Sequence, residues 1–223
     1  MDNGENTVTG TLIVNNLAGL LIVTSLMVIG AKRPTSSALL YALQSLVLVA
    51  IFLALAVTKQ AEELYLWSIT SLVTKVVLVP YVMYRALGSL RDPEADGSIL
   101  SMPWMMLAAA ITVLASFLVL DSVRLPAITD LKPALGVSLA HFFLGLLCIV
   151  TQRNILKQIF GYCLMENGAH LTLALMAYKA PELVEIGIAT DSIFAVVIMT
   201  LIARKIHRTL NTLNVNQLTA LKG

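Results

Sequence analysis

Seven long apolar runs separated by short polar breaks make up most of the chain: residues 11–31, 36–58, 64–84, 102–120, 134–150, 155–177 and 182–203. Crossing a hydrocarbon core about 30 Å thick takes about 20 apolar residues in helical form, and each run approaches that length. A transmembrane barrel would instead alternate apolar and polar residues over segments of about 10 residues, and these runs are continuously apolar. The breaks carry stop and start signals. Lys32-Arg33-Pro34 closes the first run, and Pro103, Pro133 and Pro181 fall near first-turn positions, where a missing N–H removes a donor that is unpaired anyway. The pattern predicts an all-α, polytopic membrane protein with seven transmembrane helices.

Charge sets the expected orientation. Lys32, Arg33, Arg85, Arg91, Arg153, Lys157, Arg204, Lys205, Arg208 and Lys222 fall on one side, against Lys59, Arg124, Lys132 and Lys179 on the other. The positive-inside rule then places the N-terminus outside and the C-terminus in the cytoplasm. An acidic start with Asp2 and Glu5 is unlike a cleavable signal, so the first run is expected to remain as a span. The loops are short, which leaves no room for a soluble active site. The sequence has no Gly-rich phosphate loop, nucleophile elbow or His/Cys cluster, and a net charge of +2 does not suggest nucleic-acid binding. Cys148 and Cys163 lie within runs and read as packing residues. Residues 91–97 read as a solvated turn. The amide-rich stretch after Arg208 reads equally as a docking segment or a frayed end.

Ionisable groups inside the runs break this apolar background. Glu166 sits at the middle of the sixth run with Asn167 beside it and His170 four residues on, hence on one helical face. Asp191 lies at a similar depth in the seventh run, and the tight turn around Pro181 makes the two helices antiparallel neighbours. Lys75 reaches the same layer from the third run. Pro80, five positions later, withdraws the hydrogen bond due to the Val76 carbonyl and predicts a disturbed helix beside Lys75. His141 is placed in the fifth run, with an imidazole suited to a shuttle between carboxylates. A mid-bilayer acid costs about 2.5–3.5 kcal/mol to insert, so acids that persist there usually face a protein interior or a water-filled path. Glu166, Asp191, Lys75, His141 and His170 are therefore the candidate proton pathway, with both acids expected to face inward.

Two stretches carry a resemblance. Gln158-Ile159-Phe160-Gly161-Tyr162-Cys163-Leu164-Met165-Glu166-Asn167-Gly168 and Pro181-Glu182-Leu183-Val184-Glu185-Ile186-Gly187-Ile188-Ala189-Thr190-Asp191 resemble the component E family of hydrogenase-4 membrane subunits. Thr74-Lys75-Val76-Val77-Leu78-Val79-Pro80 and the closing Leu218-Thr219-Ala220-Leu221-Lys222-Gly223 are similar too, so the resemblance runs the length of the chain. It implies a subunit of a formate hydrogenlyase complex in the bacterial inner membrane, whose last three helices are similar to the K-type subunit of respiratory complex I. In that subunit two helices each carry a mid-membrane Glu. Carried over, Glu166 takes the first place and Asp191, one methylene shorter, the second. The four helices before residue 134 have no counterpart there, so Lys75 rests on the residues alone.

The resulting expectations are specific. Residues 1–133 form an N-terminal four-helix region, 134–208 a K-subunit-like three-helix region and 209–223 a tail. The chain is expected to bind no cofactor and no metal and to catalyse no reaction itself. Its buried carboxylates are expected to serve a proton pathway coupled to formate oxidation and hydrogen evolution. The expected partners are antiporter-like and quinone-site-like membrane subunits, peripheral nickel-iron hydrogenase and iron-sulfur subunits, and the lipid bilayer. The alternative is a purely structural membrane anchor. A retinal-type pump is disfavoured, because its Schiff-base Lys belongs in the last helix, which has Asp191 and no central Lys.

Overall fold

The computed structural model describes residues 2–87, 90, 97–123 and 126–218, and every long element among them is a helix. Helices α1 (Asp2–Gly30) and α2 (Pro34–Lys59) form the first hairpin. Next comes a continuous rod of three parts: α3 (Glu63–Ser71), a π-helical stretch (Leu72–Leu78) and α4 (Val79–Leu87). Helix α5 (Met102–Asp121) leads through a 3₁₀ turn (Pro126–Leu131) into α6 (Lys132–Thr151). Then follow α7 (Ile155–Met176), α8 (Glu182–Leu210) and the short α9 (Val215–Leu218). The turn expected at residues 91–97 lies outside the described residues up to Asp96.

Six helical stretches are long and apolar enough to cross a membrane: Val8–Gly30, Pro34–Lys59, Glu63–Ala86, Met102–Asp121, Thr129–Thr151 and Leu183–Leu210. The remaining expected span, α7, has 22 residues, enough length for about 33 Å of rise. It is less apolar because it carries Lys157, Gln158, Glu166, Asn167 and His170. Those same residues put it at the centre of the bundle. Leucines and valines such as Leu39, Val57, Leu114 and Leu118 are exposed, whereas Lys75, Gln44, His141, Asn167 and Glu185 are buried. This apolar-out, polar-in arrangement suits a lipid solvent, which does not penalise an exposed Leu but does penalise an unpaired polar group.

Pro80 leaves the signature expected of it. With no N–H to offer the Val76 carbonyl, the helix widens into a π stretch over Leu72–Leu78, and the Val79 N–H bonds back to the Thr74 carbonyl. Lys75 sits inside this stretch. Helices α6 and α7 pack backbone to backbone through glycines. A methyl group on Gly145 would stand 2.6 Å from the Gly161 carbonyl, and one on Gly161 2.9 Å from the Gly145 carbonyl, so only glycine allows the approach.

Beyond Asn211, which takes the left-handed conformation that ends α8, the tail folds back on its own chain. The Ile155 N–H donates to the Leu213 carbonyl at 3.1 Å and the Val215 N–H to the Arg153 carbonyl at 3.0 Å. Leu213 is fully buried. Residues 212–215 therefore dock against the start of α7, an intramolecular contact that the amide-rich pattern did not specify. On its other side the α6–α7 connection is held by the Ile99 N–H, which donates to the Thr151 carbonyl at 2.7 Å. Lys157, buried at the same end, caps α1 by donating to the Ile29 carbonyl at 2.9 Å and to the Ala31 carbonyl.

Candidate functional site

Five elements contribute to one buried polar layer, and apolar residues close it from both ends. One cluster includes Val28, Tyr41, Val79, Leu144 and Leu164. The other includes Leu21, Leu48, Trp67, Val137 and Leu171. Between them lie Ser25 of α1, Gln44 and Ser45 of α2, Lys75 of the rod, His141 of α6, and Glu166 and Asn167 of α7.

The layer is a chain of hydrogen bonds that starts at an ion pair. Lys75 Nζ lies 2.6 Å from Glu166 Oε1, with the lysine side chain 1% exposed and the glutamate 13%. Lys75 also donates to Asn167 Oδ1 at 2.8 Å, and Asn167 Nδ2 donates to Gln44 Oε1 at 2.9 Å. Gln44 Nε2 lies 3.1 Å from His141 Nε2, and His141 Nδ1 lies 2.6 Å from Ser25 Oγ. Ser25 Oγ in turn donates to the Leu21 carbonyl at 2.6 Å.

One assignment of hydrogens satisfies every member. Gln44 can only donate through its nitrogen, so His141 Nε2 accepts; Ser25 has spent its proton on Leu21, so its oxygen accepts from His141 Nδ1–H. All donors then point away from Lys75, in the order Lys75, Asn167, Gln44, His141, Ser25. An ammonium at the head of such an aligned chain polarises each bond in turn, and those bonds help compensate the desolvated cation.

This arrangement distributes the expected roles. Lys75 and Glu166 are brought into direct contact. Asn167 ties the rod to α2. His141 joins the chain, but two carboxamides separate it from Glu166, and a carboxamide passes a proton only by way of a high-energy imidic form. His141 therefore anchors Gln44 and does not stand between carboxylates. His170, four residues beyond Glu166, turns away from the chain toward Glu185 of α8, with Nε2 2.7 Å from Oε2. Asp191 does not join. Its neighbour Ser192 donates to Glu166 Oε1, which places Asp191 at the level of Glu166, yet its side chain is exposed on the surface of this chain. The expectation that both acids face inward is corrected for Asp191: adjacent residues on a helix point about 100° apart, so Ser192 facing in turns Asp191 out.

Four participants were not singled out from the sequence: Ser25, Gln44, Ser192 and Glu185. Gln44 stands near the centre of an otherwise apolar run, a signal of the same kind as Glu166. Glu185 lies in the first turn of α8, where an acid ordinarily reads as favourable at a helix N-terminus. Its seven-residue spacing from Ser192 nonetheless puts both on one face. Among the described residues no three His, Cys, Asp or Glu side chains group as a metal site, and Cys148 and Cys163 are buried free thiols.

Apolar helices arranged around an interior charged chain define the class: an all-helical protein of the multi-span membrane type. Sequence similarity gives the particular family. The chain is 58% identical over 215 residues, 96% of its length and all of the relative's, to hydrogenase-4 component E of Escherichia coli (strain K12), and equally so to that of Shigella flexneri. It belongs to the hydrogenase-4 component E family. It is also 22% identical over 217 residues, 95% of this chain and 97% of the relative, to the uncharacterized protein Rv0085 of Mycobacterium tuberculosis (strain ATCC 25618 / H37Rv). Residues 133–223 match the family of NADH-ubiquinone/plastoquinone oxidoreductase chain 4L. No solved structure matches the chain.

Proposed function

We propose that the chain is a non-catalytic membrane subunit of an energy-converting nickel-iron hydrogenase complex of the formate hydrogenlyase type. In this reading it supplies part of a proton pathway driven by formate oxidation and hydrogen evolution. The observation that carries the reading is the Lys75–Glu166 ion pair, an interior charge pair 2.6 Å apart between apolar clusters. Moving the Lys75 ammonium toward or away from Glu166 changes how readily the carboxyl group takes up a proton, so a displacement of the rod converts into proton loading or release. The π stretch around Lys75 provides an element with looser backbone pairing at that point.

The reading has α7 as a seventh span, the N-terminus outside and the C-terminus in the cytoplasm of a bacterial inner membrane. Residues 134–208 form the complex I-like unit. Partner membrane subunits cover the outer face of α8, where Asp191 extends the path; facing lipid it would carry the insertion cost of a bare mid-membrane acid. Metal and electron chemistry belong to partner subunits.

The test is Glu166→Gln in membrane vesicles containing the whole complex. Formate-driven proton translocation is expected to fall at least tenfold while the complex still assembles. Unchanged translocation with intact hydrogen production overturns the reading. The structural-anchor alternative draws on the same bonds, since the chain from Lys75 to Ser25 also ties four helices and the rod together. It expects Glu166→Gln to reduce assembly on a native gel and to leave coupling per assembled complex unchanged.

A further inference from the structure

We infer that Glu185 and His170 form a second proton-holding site beside the Lys75–Glu166 pair. The inference rests on the proton-path reading above and adds to it a residue pair that lies outside the hydrogen-bonded chain. Both side chains are sealed, at 1% and 0% exposure, and His170 Nε2 is 2.7 Å from Glu185 Oε2. The contact is close but off the hydrogen-bond axis, so neither ring nitrogen and neither carboxylate oxygen has a directed partner among the described residues. Trp67 Nε1, from the rod, shares that condition, and Ser71 Oγ, also from the rod, lies within hydrogen-bonding reach of Glu185 without an aligned bond. Among the described residues eight buried side-chain polar atoms lack a directed partner, and six of them lie on these four side chains. They are spatial neighbours: the Trp67 and His170 rings are 5.3 Å apart between centroids, and Ser71 stands beside Glu185. Phe52, 4.8 Å from the His170 ring, closes the apolar side.

Buried polar groups are nearly always paired, and a cluster of exceptions calls for a reason. Scattered orphans elsewhere would suggest loose packing. Six on one acid, one imidazole, one hydroxyl and one indole make a cradle of donors and acceptors that holds and re-orients around a mobile proton. The charged groups facing it are Lys75 from the rod and Glu166 from α7. On α7, His170 lies one turn beyond Glu166; on α8, Glu185 lies two turns before Ser192, which contacts Glu166. The two sites are therefore successive rungs between the same pair of antiparallel helices.

The exchange balances simply. With one proton shared, a carboxyl beside a neutral imidazole or a carboxylate beside an imidazolium, the pair has no net charge. Passing that proton to Glu166 leaves a carboxylate beside a neutral ring. It also turns Glu166 into an uncharged acid that no longer holds the Lys75 ammonium. Emptying the Glu185–His170 site into Glu166 and freeing Lys75 are thus linked events.

The test compares Glu185→Gln, His170→Gln and Glu166→Gln in vesicles containing the full complex, reading formate-driven proton translocation and hydrogen production together. Glu185→Gln is expected to lower translocation at least tenfold, with Glu185→Asp restoring part of it and moving its pH profile. Translocation kept in Glu185→Gln but lost in Glu166→Gln overturns the second site and leaves the first standing. Translocation kept in both overturns the pathway reading itself, and the second site with it. Should the glutamine variants not assemble, Glu185→Asp supplies the readout. A deuterium-sensitive carboxyl infrared band that titrates differently from wild type supports the site, and an identical infrared titration overturns it.

Discussion

Helices α7 and α8 both carry acids within their apolar length, but they treat them differently. In α7 the polar residues Glu166, Asn167 and His170 all face inside the bundle, the first two in directed bonds and His170 in close contact with Glu185. The helix is gripped by α6 through Gly145 and Gly161, so its rotation is fixed by backbone contact. In α8 the two acids part company: Glu185 is buried against His170, whereas Asp191, six residues later, is exposed. Six residues advance the helix by about 240° past full turns, enough to send one side chain inward and the other out. The contrast separates two kinds of polar residue in a membrane subunit, those that complete the fold and those that await a partner. It also makes depth an insufficient guide, because the outward acid lies level with Glu166.

The sharpest way to break the contrast is to release α7 from α6. Gly145→Leu places a branched side chain where the α7 backbone already stands, and overpacking against backbone is expected to cost upwards of about 3 kcal/mol. Assembled complex on a native gel is expected to disappear, and normal assembly would refute the tight α6–α7 seam. Next comes Lys75→Met, which strands Glu166 in the interior. Removing one partner of a buried pair costs about 3–5 kcal/mol, and the 13% exposure of Glu166 places this site near the lower bound. Thermal unfolding of the purified complex is expected to shift down accordingly. The double variant Lys75→Met/Glu166→Gln is expected to recover most of the loss, because no uncompensated charge is left. Additive losses in the double variant would show that the two side chains do not interact.

Gln44→Leu has a smaller expected effect. It removes one acceptor for Asn167, which keeps Ser45 Oγ at 3.3 Å, and the donor for His141, whose buried Nε2 is left short at about 1–3 kcal/mol. Unfolding followed by heat should show that loss, whereas a neutral outcome would mean that the chain beyond Asn167 carries no strength.

Much of this was legible from residue pattern. Run length fixed the helices, Pro80 the disturbed stretch beside Lys75, and depth the meeting of Lys75 with Glu166, because rise along an apolar helix is nearly constant. Rotation was not legible. It depends on which faces pack, and in α8 the acids offered two faces with no apolar stripe to decide between them, since lipid and core are equally apolar. Asp191 drew notice by standing at mid-run, and Glu185 was lost among helix-start acids. The fold-back of residues 212–215 was hidden for another reason: its register against α7 is set by backbone bonds to Arg153 and Ile155, while Thr212 and Asn214 shape the local turn.

Asp191→Asn sharpens the same contrast from the other end and has the smallest expected effect on stability. An exposed side chain outside any hydrogen-bonded network contributes within about 0.5 kcal/mol, so the unfolding temperature of the isolated chain in detergent should stay close to wild type. In detergent the carboxylate is solvated and the substitution removes nothing that the fold uses. In the assembled complex the outcome depends on what covers α8. If a partner there pairs with the carboxylate, translocation falls while the isolated chain is as stable as before, and the split between the two readouts identifies Asp191 as an interface residue. A stability loss in the isolated chain as large as that of Lys75→Met would instead mean that α8 is rotated from the orientation in which Ser192 reaches Glu166, and the division between inward and outward acids would fail.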